Sequence, residues 1–283
     1  MYAPDGSGAA AASIAVVSAG QTGNTVKITY TVATGNMLAG SLTVDVPSGW
    51  TPPSTVAGPG FTTSNFGTVA VAGQTITVTG ITRNAGQTVV VTYGSGGTAT
   101  ATSTTGDQTW QVQQASTAAG VLTSIGAPPA ITVYASDGSG TLASATTDVS
   151  ASQAGLTLTF TYTADTGGMN GGTITLVVPA GWSAPSTNPA AAGFATAPSG
   201  GTLTVAGRTI TVSTLTIGAG ATATIAYGAG TGATATATTG TQIWQSQERS
   251  TAAGVLTSLG SSPSPSRPCR RRRRWLRSRR RRS

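Results

Sequence analysis

The sequence predicts an all-β protein: two tandem β-sandwich domains followed by an arginine-rich tail. Three observations predict it. The chain repeats itself at a domain-sized lag of roughly 130 residues. Apolar residues alternate with period two inside each copy, as in half-buried strands. No window carries a helical period bounded by caps.

The repeat is read from its large residues. Tyr2, Asp5, Tyr30 and Trp50 return 132 residues later as Tyr134, Asp137, Tyr162 and Trp182. Tyr93, Trp110 and the segment STAAGVLTS from Ser116 return at a lag of 134, as Tyr227, Trp244 and the same segment from Ser250. Val26, Ile28, Tyr30 and Val32 alternate with threonines and Lys27, and Leu158, Phe160 and Tyr162 do the same in the second copy. Each is a strand with a buried face and a Thr-covered face. Further strands are expected at Ser41–Val46, Gln87–Tyr93, Thr98–Thr102 and Thr109–Gln113. The segments TVAVAGQTITV and TLTVAGRTITV predict hairpins turning at Ala72-Gly73 and Ala206-Gly207. About seven short strands per copy indicate an immunoglobulin-like sandwich. The expected domains are residues 1–129 and 130–262, with Pro128-Pro129 stiffening the junction, Ala130–Ala135 opening the second domain, and a disordered tail over 263–283.

Composition narrows the chemistry. The 283 residues include 39 Gly and 14 Pro but one Cys and no His. That excludes a disulfide within the chain, His-based catalysis and the usual zinc sites, and neither cofactor nor metal is expected. No apolar run reaches the roughly 18 residues of a membrane helix. The net charge of +8 divides unevenly. Residues 1–266 hold four basic and seven acidic residues, whereas 267–283 hold eleven Arg.

Both ends invite a reading in the genetic code. Met1-Tyr2-Ala3-Pro4-Asp5 matches Val133 to Asp137, as if an internal valine codon served as the start; the first domain would then lack part of its opening strand, and no signal peptide would be expected at this end. Arg270–Arg277 reads RRRRRWLR, and one choice of codons shifted by a nucleotide reads VAAADGSG, the opening of a third copy. If genuine, Arg270, Arg271, Arg272, Arg273, Arg274 and Trp275 would contact an anionic partner, nucleic acid or anionic lipid.

The candidate sites elsewhere are few. Asp5 and Asp137 each open Asp-Gly-Ser-Gly and are the one acidic position shared by both copies. A calcium site needs more carboxylates, so a turn closed on its own backbone is expected. No acid pair recurs, because Asp45 and Asp107 match Val177 and Thr241, so catalysis is not expected. Trp110 with Gln111 and Gln113, and Trp244 with Gln245 and Gln247, form either a sugar platform or core plugs. The Thr-Ala runs at Thr98–Thr102 and Thr234–Thr238 are expected to be solvated.

Thr-rich alternating strands, the VPSGW/VPAGW pair, the VAGQTITV/VAGRTITV hairpin and head-to-tail copies resemble the tandem immunoglobulin-like repeats of large bacterial secreted and cell-surface proteins, adhesin stalks among them. The resemblance covers residues 1–262 and implies a non-catalytic spacer or adhesive module, extracellular or on the bacterial surface. Its implied partners are further copies of the repeat in a longer chain, cell-surface glycans, or host and matrix proteins. A carbohydrate-binding pair built on the Trp and Gln positions is the alternative, and binding of nucleic acid or lipid through the Arg tail a second one.

Overall fold

A computed structural model describes the backbone of residues 1–266 and the side chains through residue 259; the Arg-rich segment and its expected disorder lie outside the described residues. The first half contains β1 (Ala9–Ala12), β2 (Val16–Ser18), β3 (Val26–Thr31), β4 (Met37–Asp45), β5 (Thr63–Ser64), β6 (Thr68–Ala72), β7 (Thr75–Arg83), β8 (Thr88–Tyr93), β9 (Gly106–Thr109), β10 (Val112–Ala115), β11 (Thr123–Ser124) and β12 (Ala130–Tyr134). The second contains β13 (Thr141–Ser144), β14 (Leu158–Thr163), β15 (Met169–Val177), β16 (Ala195–Thr196), β17 (Thr202–Ala206), β18 (Thr209–Ile217), β19 (Thr222–Tyr227), β20 (Gly240–Arg249) and β21 (Thr257–Ser266). Every described element is a strand, and the protein is all-β with two immunoglobulin-like sandwiches in tandem.

Each sandwich packs a four-stranded sheet on a five-stranded one. The first uses β1-β3-β8-β5 against β11-β10-β4-β7-β6, and the second β13-β14-β19-β16 against β17-β18-β15-β20-β21. The alternation read from sequence is the alternation seen. In β3, Val26, Ile28 and Tyr30 are buried, and in β14 Leu158, Phe160 and Tyr162 are. Opposite them, Leu42, Val44, Ile76 and Val78 close the first core, and Leu176, Ile210 and Val212 the second. Burying such side chains stabilises the fold by about 1.5–3 kcal/mol apiece.

At the centre of each core sit the large aromatics. Trp110 meets Trp50 and Tyr93 edge-on with ring centroids 5.3 Å away in both cases. Trp244 meets Trp182 at 5.3 Å and Tyr227 at 5.4 Å. Phe160 adds a fourth ring 4.8 Å from Trp244, at the position where the first copy has Ile28. The Tyr93 and Tyr227 hydroxyls donate to the Thr51 and Ser183 carbonyls, tying each core to its VPSGW or VPAGW loop. Burial pushes the Tyr227 phenol up to about 12.

Four local expectations change. Ala72 pairs with Thr75 and Ala206 with Thr209, so the hairpin loops are Gly73-Gln74 and Gly207-Arg208. The turn therefore places Gly, at a φ of 58° and 57°, in the first central position that a II′ turn requires. The second loop residue reaches back to the Trp loop. Gln74 donates to the carbonyls of Pro47 and Trp50, and Arg208 to those of Val178, Pro179 and Trp182. Thr98–Thr102 forms a single bridge, Asn24 to Ala99, because its backbone is spent on loops: Ala101 N–H on Gln21 and Thr100 C=O on Thr51. Thr102 and Thr236 are buried rather than solvated. Finally, the strand expected at Thr109–Gln113 is broken at Trp110-Gln111 into β9 and β10, although its counterpart β20 runs unbroken.

The largest difference concerns β12. The residues expected to open the second domain close the first. β12 lies parallel to β2, pairing Thr132 with Val16 and Tyr134 with Ser18. On its other side it runs antiparallel to β9, pairing Ala130 with Thr109. Ile131 and Val133 are fully buried in the first core. Pro128-Pro129 accordingly lies inside the first sandwich, where the Pro129 carbonyl accepts from Trp110 N–H, and does not serve as a linker.

Candidate module interface

The chain passes from one sandwich to the other within one residue step. Tyr134 C=O accepts from Ala19 N–H of the first sandwich, and Ala135 N–H donates to Gly168 C=O of the second. The Tyr134 hydroxyl accepts from Asn170 Nδ2 at 3.0 Å. No free linker separates the two.

Asp137 anchors this junction. Its carboxylate accepts from Ser250 N–H at 2.9 Å and Val255 N–H at 2.6 Å, both in the repeated STAAGVLTS loop. It accepts a third bond from Ser18 Oγ, at the end of β2, at 2.7 Å. Ser18 Oγ also lies 3.0 Å from Thr251 Oγ1, and Gln21 Nε2 donates to Ala253 C=O. Gly167 completes the contact by what it lacks: a Cβ there would sit 2.6 Å from the Thr105 methyl. Beside these bonds lies a groove of about 390 Å³, with Gln21 and Thr22 on one wall and Ser136, Asp137, Val255 and Thr257 on the other.

Asp5 plays the corresponding part in the first sandwich, accepting from Ser116 and Val121 N–H at 2.7 Å each. The expected turn is therefore corrected: Gly6 and Gly138 do hold φ of 74° and 77°, but the Asp carboxylates close a loop over a hundred residues away. Negative charge on two converging N–H groups is a strong, charge-assisted arrangement. It also explains Gly120 and Gly254. A Cβ at Gly120 would fall 2.9 Å from the Asp5 oxygens, and one at Gly254 would crowd the Asp137 carboxylate more closely still. The signal was present in the sequence. Asp-Gly-Ser-Gly and STAAGVLTS both recur unchanged, and only the fold shows that they are partners.

Glu248 is buried against Asp137. Gly138 N–H and Ser250 Oγ each donate to its carboxylate at 2.7 Å. Desolvation raises its pKa from 4.5 to about 7; the Asp137 charge adds to the rise, while the bonds from Ser250 and Gly138 oppose it. Sequence reasoning passed over this residue, because its counterpart in the first copy is the uncharged, equally buried Gln114.

The aromatic candidates divide between core and surface. Trp110 and Trp244 are fully buried, so neither indole shows a face to solvent. Gln111, Gln245 and Gln247 are exposed and Gln113 is half-buried, accepting from Thr43 Oγ1. The indoles and the amides of each set thus lie on opposite sides of the sheet. Arg270, Arg271, Arg272, Arg273, Arg274 and Trp275 lie outside the described residues.

No protein-family model matches the chain, and no curated protein matches it. Among solved structures it is similar to the type II cohesin dyad of the adaptor ScaA scaffoldin of Acetivibrio cellulolyticus, at 10% identity and a TM-score of 0.26 over 84% of this chain and 86% of that one. A protein of unknown function from Porphyromonas gingivalis W83 gives 9% identity and a TM-score of 0.23 over 90% and 94%. Likenesses this distant carry no functional argument. The fold rests on this chain's own strand pairing.

Proposed function

We propose that the chain is a non-catalytic spacer or adhesive repeat of a bacterial secreted or cell-surface protein, and that its repeating unit runs to about residue 134. The observation that carries this reading is the shared junction. A strand that completes one sandwich continues directly into the next, and Asp137, Ser18 and Gln21 bond across the seam. Such a joint resists bending, so each added module extends reach. Low charge over residues 1–266 and many exposed threonines suit an extracellular setting. Its partners in this reading are further modules of the same chain, with surface glycans or matrix proteins as ligands of the whole array.

Solution scattering tests it. The expected particle is two sandwiches end to end, with a maximum dimension that Ser18→Ala combined with Gln21→Ala broadens into a bending ensemble. A compact particle with the sandwiches side by side would overturn the reading.

A further inference from the structure

The second sandwich carries the seat for a closing strand but not the strand that fits it. In the first sandwich Thr132 N–H of β12 donates to Ala15 C=O, which draws Val16–Ser18 into a ladder. The register of β21 on β20 sets Pro263, Ser264, Pro265 and Ser266 where β12 has Ala130, Ile131, Thr132 and Val133. Pro265, in the place of Thr132, has no N–H to give. Asp148–Ser150, the counterpart of β2, forms no ladder among the described residues.

The seat is nevertheless preformed. Ser150 N–H donates to Gln153 Oε1 as Ser18 N–H does to Gln21 Oε1. Ser152 N–H bonds Thr236 C=O as Gly20 N–H bonds Thr102 C=O, and Ala235 N–H bonds Gln153 C=O as Ala101 N–H bonds Gln21 C=O. Ser18 and Ala19 are buried at the junction, whereas Ser150 and Ala151 are exposed.

We propose that this edge binds the strand preceding a further module, an extended segment of the Ala-Ile-Thr-Val-Tyr-Ala-Ser-Asp type supplied by another chain, which displaces the Pro/Ser strand from β20. Its two apolar side chains enter the core as Ile131 and Val133 do, its Thr N–H reaches Thr147 C=O, and its Asp accepts from Ser150 Oγ. The occupant is the one the molecule already uses at its own junction, with the same Ser and Gln on the receiving side. The proposal rests on the reading of the chain as one part of an array.

The test is a labelled peptide of residues 127–140 titrated into the full chain and followed by fluorescence anisotropy. Saturable binding is expected. The peptide with Ile131→Asp and Val133→Asp should bind at least roughly a hundredfold more weakly, from two apolar side chains no longer buried. A chain carrying Pro263→Ala, Ser264→Ile, Pro265→Thr and Ser266→Val fills its own seat and should no longer bind peptide. No saturable binding up to about 1 mM, equal binding of both peptides, or undiminished binding to the filled chain would each overturn the proposal. The spacer reading fails separately, by scattering, whatever the peptide does.

Discussion

Glu248→Gln should stabilise the second sandwich, increasingly as pH rises above about 4.5 and most fully above about pH 7. The first sandwich supplies the precedent for the amide donor, since Gln114 occupies the same buried position and donates to Ser116 Oγ at 2.7 Å, while Gly6 N–H there donates to the Gln114 backbone carbonyl. In the variant, Oε1 would accept from Gly138 N–H and Nε2 would donate to Ser250 Oγ. That frees the Ser250 hydroxyl to donate to Ser136 C=O, a bond it already approaches at 3.3 Å. The magnitude follows from linkage. Glu248 titrates near 7 in the folded protein against 4.5 as its ordinary value. The folded state therefore holds its proton more tightly than the unfolded state does. Stability is unaffected below about pH 4.5, falls as pH rises toward 7, and stays reduced above that by about 3 kcal/mol. Removing the charge should recover most of that penalty at about pH 8.5 and almost none at about pH 4. Urea denaturation at the two pH values, read by amide exchange in β14 and β15, measures it. Equal stabilisation at both pH values would mean that packing rather than ionisation carries the effect. A loss at high pH would refute the reasoning altogether.

Other outcomes follow from comparing the copies. Thr214 holds a φ of 60° where the first copy has Gly80, which stands in open space. A β-branched residue is strained there, so Thr214→Gly should raise stability by about 0.5–1 kcal/mol, measured by calorimetry, despite the entropy that Gly adds to the unfolded chain. Asp5→Ala and Asp137→Ala should each cost about 2–4 kcal/mol in denaturant, because two loop N–H groups lose a charged acceptor. Only Asp137→Ala should also speed amide exchange at Ala19, across the seam. In a chain carrying Trp275→Phe, tryptophan fluorescence should not respond to added polysaccharide, because the Trp50, Trp110, Trp182 and Trp244 rings are packed inside. A saturable change would bring the sugar-platform reading forward.

The fold was legible because its cause is periodic. Alternation at Val26–Val32 and at Leu158–Tyr162 needs no tertiary information to be read as a buried strand face, and the repeat shows that there are two sandwiches. The hairpin turns were misplaced by one residue, since local preference weighs Ala-Gly and Gly-Gln almost alike and only register separates them. The site was less legible for a different reason. Asp5 and its loop at Ser116–Val121 recur as two separate signals, and nothing in a linear pattern says that they meet. Glu248 was passed over because its role depends on burial, which substitution by Gln in the sister copy disguises as tolerance.

The strand that completes the first sandwich also leads directly into the second, and that dependence can be tested by cutting the chain. The first sandwich needs residues through Tyr134 to complete its core. A fragment ending at residue 129 loses β12, exposing the ground covered by Ile131 and Val133 and leaving β2 without a partner. The buried side chains alone are worth about 3–6 kcal/mol, a large share of the 5–15 kcal/mol typical of a domain. A fragment ending at residue 136 retains all of it. Denaturant midpoints of the two should differ widely although they differ by seven residues. If they coincide, β12 is an ornament on a self-sufficient sandwich. If they differ as expected, the first sandwich depends on the strand that leads into the second. Stability is then shared between the two sandwiches as nearest-neighbour coupling. In the proposed spacer role that coupling suits a chain under load, because the first sandwich cannot come loose without disturbing the strand that ties it to the second.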